Sequence, residues 1–205
     1  MINKALATCS KCGSSSQIDV YYSINVGDNP ELKDRVKNGS LFTWSCPECG
    51  SLNLLKYQTL YHDPQQKLMI WLNENENAVG DQIEIIFCDS DELAHYTARL
   101  VDSVGALIEK VKIFELGLDD VTMEICKLVT CAEIGKEVDL KFLKMDGPDN
   151  EITFTYPENG QMQMLVIGFN VYEDARGIVS RNLEFQSPGP GFAKVDRDWI
   201  STIIG

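Results

Sequence analysis

The hydrophobic and polar positions of the first hundred residues alternate in short runs, the mark of half-buried strands. Gln17–Val26, rich in Ile, Val and Tyr, reads as a strand. A helix follows. Asn29 is placed to cap it, Pro30 suits its first position, Glu31 complements its dipole, and Asn38-Gly39 ends it. Leu32 and Val36, one turn apart, mark its buried face. Leu41–Trp44 reads as a short strand. Leu52–Leu60 and Leu68–Leu72 pair antiparallel around His62-Asp63-Pro64. Residues 73–81 lack an apolar period and read as a loop. Gln82–Phe87 reads as a strand, Asp89–Glu92 as a turn and Tyr96–Val101 as another strand.

The period then changes to that of a helix. Val104, Leu107, Ile108, Val111 and Phe114 follow Ser103, a capping residue, and Gly117 stops the run. Asp119-Asp120 opens a second helix with Val121, Ile125, Leu128, Val129 and Ala132 on one face, stopped by Gly135. Two amphipathic helices with a short joint form an αα-hairpin. Its stripe of Leu107, Val111, Phe114, Ile125 and Leu128 is expected to cover a sheet of the same chain, with Glu109, Lys110, Lys112 and Glu124 facing solvent. A partner-binding groove is the alternative use of the stripe. Beyond Glu137 the reading returns to strands: Val138–Lys144, Glu151–Tyr156, Met162–Tyr172 and Leu183–Gln186. Asp196 then caps a final helix, Arg197–Ile204.

Four cysteines punctuate the N-terminal strands. Cys9 and Cys12 flank Ser10-Lys11, Cys46 and Cys49 flank Pro47-Glu48, and a glycine follows each pair. A Cys-x-x-Cys-Gly turn aims two thiolates at one point. Two such knuckles supply the four sulfurs of a closed tetrahedral zinc site, with no open position for catalysis. A redox pair and an iron site are the alternatives. A redox pair ordinarily has its first thiol at a helix N-terminus, whereas each pair here stands at a strand end. The expected architecture is therefore α+β: residues 1–135 form a zinc-ribbon-like domain with an inserted helix and a helical hairpin, and residues 136–205 a β-rich region ending in a short helix.

Composition narrows the function. The chain has 205 residues, seven cysteines, two histidines and a net charge of −13. That charge argues against general binding to nucleic acid or to an anionic membrane surface. The chain has no apolar run of membrane-spanning length and no signal-peptide core before Cys9, so a cytoplasmic protein is expected. Paired cysteines in a reducing compartment favour metal over disulfides. Cys88, Cys126 and Cys131, outside the knuckles, read as small buried hydrophobes.

Four stretches together resemble the CpXC domain, a bacterial and archaeal family named for its cysteine pairs. They are Cys9-Ser-Lys-Cys-Gly, the segment Ile24–Phe42 between the knuckles, Cys46-Pro-Glu-Cys-Gly with the later Leu60-Tyr-His-Asp-Pro, and Leu107–Asp120 at the helix joint. The likeness spans roughly residues 7–135. The first knuckle departs from it, with Ser10-Lys11 where the second has Pro47-Glu48. The resemblance implies a zinc-ribbon-like site at Cys9, Cys12, Cys46 and Cys49 and carries over no catalytic residue.

Other candidates have simpler readings. His62 and Asp63 could form an acid–base pair or a second metal site, or be a hairpin turn. Asp119-Asp120 could bind a cation with Glu115 or Glu124, or start a helix. Tyr21, Tyr22, Phe42 and Trp44 could stack on bases, or pack a core. No phosphate-binding glycine loop and no recognisable nucleophile setting is present. The expectation is a non-enzymatic zinc-binding adaptor whose partner is another protein or a second copy. An enzyme with its site between the two regions, or a zinc-dependent nucleic-acid binder, is the alternative.

Overall fold

The computed structural model describes residues 2–73, 95–189 and 191–204. The chain divides into two compact units, Met1–Ile108 and Glu109–Gly205. The expected loop at 73–81 beyond its first residue, the strand at 82–87, the turn at 89–92 and Cys88 lie outside the described residues.

In the first unit, β1 (Ile2–Thr8) and β2 (Ser15–Tyr21) form an antiparallel hairpin with Thr8 opposite Ser15. A second hairpin joins β4 (Thr43–Ser45) to β5 (Leu52–Leu54), with Ser45 opposite Leu52. Each knuckle is the turn of one hairpin. β1 escapes a reading by hydropathy because its half-buried face is Asn3, Ala5 and Ala7, which carry little apolar signal. The residues read as one strand from Gln17 to Val26 are two, β2 and β3 (Ser23–Asn25).

The first unit also holds a four-stranded sheet in the order β3-β6-β7-β8, with β6 spanning Thr59–Asp63, β7 Leu68–Leu72 and β8 Thr97–Val101. β6 and β7 pair antiparallel, whereas β3–β6 and β7–β8 are parallel. The connection from β3 to β6 carries α1 (Glu31–Lys37), whose Leu32 and Val36 are buried as their spacing predicts. Asn29 does not cap α1: Pro30 holds that position, without a side-chain bond. Leu41 and Phe42, expected in a strand, form a 3-10 turn at Ser40–Phe42 with both side chains buried, and extended backbone begins only at Thr43.

The helical hairpin consists of α2 (Val104–Glu115) and α3 (Asp120–Ile134). Ser103 Oγ accepts the Ala106 N–H at 3.2 Å. Asp119 caps α3 by accepting the Thr122 N–H at 2.7 Å, and Gly135 closes it in the left-handed region. Leu107, Val111 and Ile125 are buried. In the second unit, Ile113, Val121, Ile125 and Cys126 share a core with Phe142, Ile152, Phe154 and Tyr156 of the antiparallel sheet β11-β10-β9. β9 is Lys141–Asp146, β10 Glu151–Glu158 and β11 Gln161–Ile167.

The charged face of the hairpin is not what its sequence predicts. Glu109, Lys110 and Glu124 are buried, not solvated, and Lys112 is half-buried. Lys110 Nζ lies 2.7 Å from Asp120 and 3.7 Å from Glu124; Lys127 Nζ lies 2.8 Å from Glu124 and 3.1 Å from Glu109. Burial raises the Glu124 carboxyl. Burial also opposes the charge on Lys127, but Glu109 and Glu124 outweigh it and hold the ammonium charged. Backbone groups complete the network: Glu109 accepts the Phe142 N–H at 2.6 Å, and Lys110 donates to the Val195 carbonyl at 2.7 Å. These charges are tolerated inside because each meets an opposite one, and Glu109 and Lys110 meet a backbone group as well.

Two further expectations give way in the second unit. The run read as a strand from Met162 to Tyr172 is a strand only to Ile167. After Gly168 the chain turns into α4 (Phe169–Arg181), whose Tyr172 and Ala175 join the core. Leu183–Gln186, read as a strand, is a one-turn helix, α5. It is started by Asn182, whose side chain accepts the Glu184 N–H. Such short apolar runs suit either state, and core contacts decide between them. The last helix, α6 (Arg197–Ile204), begins as expected, with Asp196 accepting the Trp199 N–H at 2.9 Å.

Candidate metal centre

The two knuckles are built alike. In the first, the Cys9 N–H donates to Ser14 O at 2.8 Å and the Gly13 N–H to Cys9 O at 3.0 Å. In the second, the Cys46 N–H donates to Ser51 O at 2.9 Å and the Gly50 N–H to Cys46 O at 2.9 Å. Gly13 and Gly50 both take positive φ, 74° and 67°, a region costly for any residue with a Cβ. This tight turn puts both thiols of a pair on the same side of the loop.

The four thiols converge. Cys9 Sγ lies 3.7 Å from Cys49 Sγ, Cys12 Sγ lies 3.6 Å from Cys46 Sγ, and all four sulfurs fall within 4.8 Å of one another. Sulfurs about 2.3 Å from a central ion stand about 3.8 Å apart in a tetrahedron. The spacing and the all-sulfur donor set therefore fit a tetrahedral ion, and the cluster can hold one. Cys9 and Cys46 are buried, Cys49 is partly covered and Cys12 is exposed.

Neighbouring groups favour thiolates at two positions. The Ser51 hydroxyl, 3.1 Å from Cys9 Sγ, leads the effects that bring Cys9 down to about 5. Ser14, 3.2 Å from Cys46 Sγ, leads those that lower Cys46. At Cys49 the Ser51 bonds also pull downward, but burial and the neighbouring Cys12 and Cys9 sulfurs prevail and the net shift is upward. Asn53 on β5 ties the hairpins together. Its Oδ1 accepts the Ser10 N–H at 2.9 Å, and its Nδ2 reaches Cys9 Sγ at 3.7 Å. Ser14, Ser51 and Asn53 were not among the expected site residues. The signal for the serines was available, because the repeated motif runs one residue further than the ligands require, as Cys-x-x-Cys-Gly-Ser in both copies.

A family model described as CpXC protein matches residues 7–127, over half of the chain and both knuckles. The chain belongs to the CpXC family. No curated protein and no solved structure matches it. The CpXC match begins just before Cys9 and ends inside α3, so the four-cysteine cluster and the joint of the helical hairpin both lie within it.

The other candidate residues of this CpXC chain take structural places. Asp63 is buried and accepts the N–H groups of Gln65 and Gln66 at 3.1 and 3.2 Å, while Lys33 Nζ stands 2.6 Å from its other oxygen. It is the turn residue between β6 and β7. His62 instead meets the Tyr96 hydroxyl at 3.2 Å, and burial lowers its pKa despite the pull of Asp63 and Asp28. Asp119 is a helix cap and Asp120 a partner of Lys110. Tyr21 and Phe42 are core residues, whereas Tyr22 is half exposed and packs edge-on against Tyr57. Among the described residues, the four cysteines are the one group of potential ligands gathered closely enough for a metal ion, and no helix is long and apolar enough to cross a membrane.

Proposed function

We propose that the protein is a zinc-binding, non-enzymatic adaptor that works in a reducing compartment and recognises another protein or a second copy of itself. The observation that carries the reading is the closed set of four sulfurs at tetrahedral separation. Zinc suits it, being indifferent to redox change and content with four thiolates. Four protein ligands leave no position for water or substrate, so the ion acts by fastening two hairpins that are too short to be stable alone.

The hairpins also present what an adaptor needs. Leu6 on β1 is 76% exposed, and Leu52 and Leu54 on β5 are 69% and 58% exposed. Large aliphatic side chains held outward on a metal-fastened scaffold are suited to a protein surface. The buried ionic network of α2 and α3 does not compete as a reaction centre. The cavity beside Glu124 and Lys127 has about 20 Å³, room for one water.

Elemental analysis of protein purified without added metal should find one zinc per chain. Leu6→Glu with Leu52→Glu should keep that zinc and lose a protein partner, or a self-association measured by light scattering. A chain without zinc, or one whose associations ignore both substitutions, overturns the reading.

A further inference from the structure

The two serines that follow the knuckle glycines stand in equivalent places around the sulfurs. Ser14 Oγ lies 3.1 Å from Cys12 Sγ and 3.2 Å from Cys46 Sγ. Ser51 Oγ lies 3.0 Å from Cys49 Sγ and 3.1 Å from Cys9 Sγ. Each hydroxyl therefore spans the second cysteine of its own knuckle and the first cysteine of the other. Every ligand sulfur has one serine oxygen beside it, and both serines cross between the hairpins.

Their placement is set by backbone. Ser14 O and Ser51 O accept the N–H groups of Cys9 and Cys46, the bonds that close the two knuckles. The residue after the glycine is thus fixed with its side chain toward the ion's position. A tetrathiolate zinc centre carries two net negative charges, and an O–H dipole pointing at a sulfur disperses them. A thiolate accepts such a bond and cannot donate one, and a serine hydroxyl has a single proton, so once the ion is bound each serine shares one O–H between its two sulfurs.

We propose that Ser14 and Ser51 are a paired outer shell of the metal centre, positioning residues that hold the four thiolates in register across the two hairpins and stabilise their charge. The inference rests on the metal-binding reading above. Neither hydroxyl touches the ion; each acts through two sulfurs. Outer-shell partners of this kind typically change metal affinity about 10–100-fold.

The test uses the full chain with zinc and with cobalt(II) as its spectroscopic probe. Ser14→Ala and Ser51→Ala should each weaken zinc by about 10-fold or more in competition with a chromophoric chelator, and the double variant should lose more. Removing the O–H groups makes the sulfurs more electron-rich. The sulfur-to-cobalt charge-transfer band should therefore move to lower energy while the d–d bands stay tetrahedral. A loosened fold with its sulfur hydrogen bonds intact would not shift that band. Ser14→Thr and Ser51→Thr, which keep the hydroxyl, should restore it. Ser15→Ala is the control, since Ser15 bonds Thr8 across the first hairpin at 3.2 Å and should leave affinity and spectrum unchanged. A double alanine variant with the affinity and band of the parent overturns the serine inference and leaves the metal site standing. A parent chain that takes up neither ion overturns both.

Discussion

Lys110, in the middle of α2, and Asp120, ten residues on at the start of α3, form a 2.7 Å ion pair with both side chains almost wholly out of solvent. The pair joins α2 to α3, and the same ammonium reaches the Val195 carbonyl, so one cation fastens three parts of the second unit.

Lys110→Met should therefore cost about 3–5 kcal/mol of stability, because it takes the ammonium at 2.7 Å away from the buried Asp120 carboxylate. Combining it with Asp120→Leu should recover much of the loss, since a well-packed apolar pair replaces a buried charge at little cost. Urea unfolding of the full chain measures both. A single variant as stable as the parent would show that the pair holds nothing.

The four-cysteine cluster and the buried Cys126 thiol should respond differently to the same change. Cys46→Ser removes a ligand of the proposed zinc centre, and structural zinc contributes on the order of 10 kcal/mol in small zinc-folded peptides. Cys126→Ser places a hydroxyl among apolar neighbours and should cost about 1–3 kcal/mol. Calorimetry with and without chelator separates them: chelator should lower the melting temperature of Cys126→Ser and leave that of Cys46→Ser unmoved. Burial raises the Cys126 thiol to about 12, so alkylation of the folded chain at neutral pH should spare it.

Gly27→Ala should destabilise the first unit. A Cβ there falls 2.5 Å from Pro64 Cγ and 3.2 Å from Pro64 Cδ, and a proline ring cannot swing aside. Overpacking of this kind costs about 1–3 kcal/mol. Gly105→Ala, with nothing within 4 Å of the new atom, serves as the control and should leave the melting temperature unchanged or slightly raised.

His62 should titrate below the ordinary histidine value of about 6.5, because burial disfavours its imidazolium more than Asp63 and Asp28 favour it. A depressed folded pKa means that its contribution to stability is present above pH 6.5 or so and is lost as pH falls through the folded value. His62→Gln should flatten the decline in stability between pH 7 and 5. Proton NMR of the imidazole measures the pKa directly, and a value at or above that of an unfolded control contradicts the argument.

The local rules of the chain determined much by themselves. Two Cys-x-x-Cys-Gly turns need only their own backbone to present thiols in pairs. The glycines at 13 and 50, the caps at Ser103, Asp119 and Asp196 and the stop at Gly135 act within a few residues, and each is found where its chemistry puts it. Tertiary structure decided what depends on distant partners. Phe169–Arg181 became a helix after Gly168, and Leu183–Gln186 a helical turn, because apolar runs of that length suit either state until a core is chosen. Glu109, Lys110 and Glu124 read as a solvated face, since a charge inside a protein is costly unless it meets its opposite. The opposites of Glu109 and Lys110 lie on the other helix of the hairpin, Glu124 meets Lys127 of its own helix as well as Lys110, and the completing backbone groups at Phe142 and Val195 lie further along the chain. The convergence of all four sulfurs is of the same kind. Each pair was legible as a pair, but only the packing of one hairpin beside the other, latched by Asn53, makes a single centre of the two.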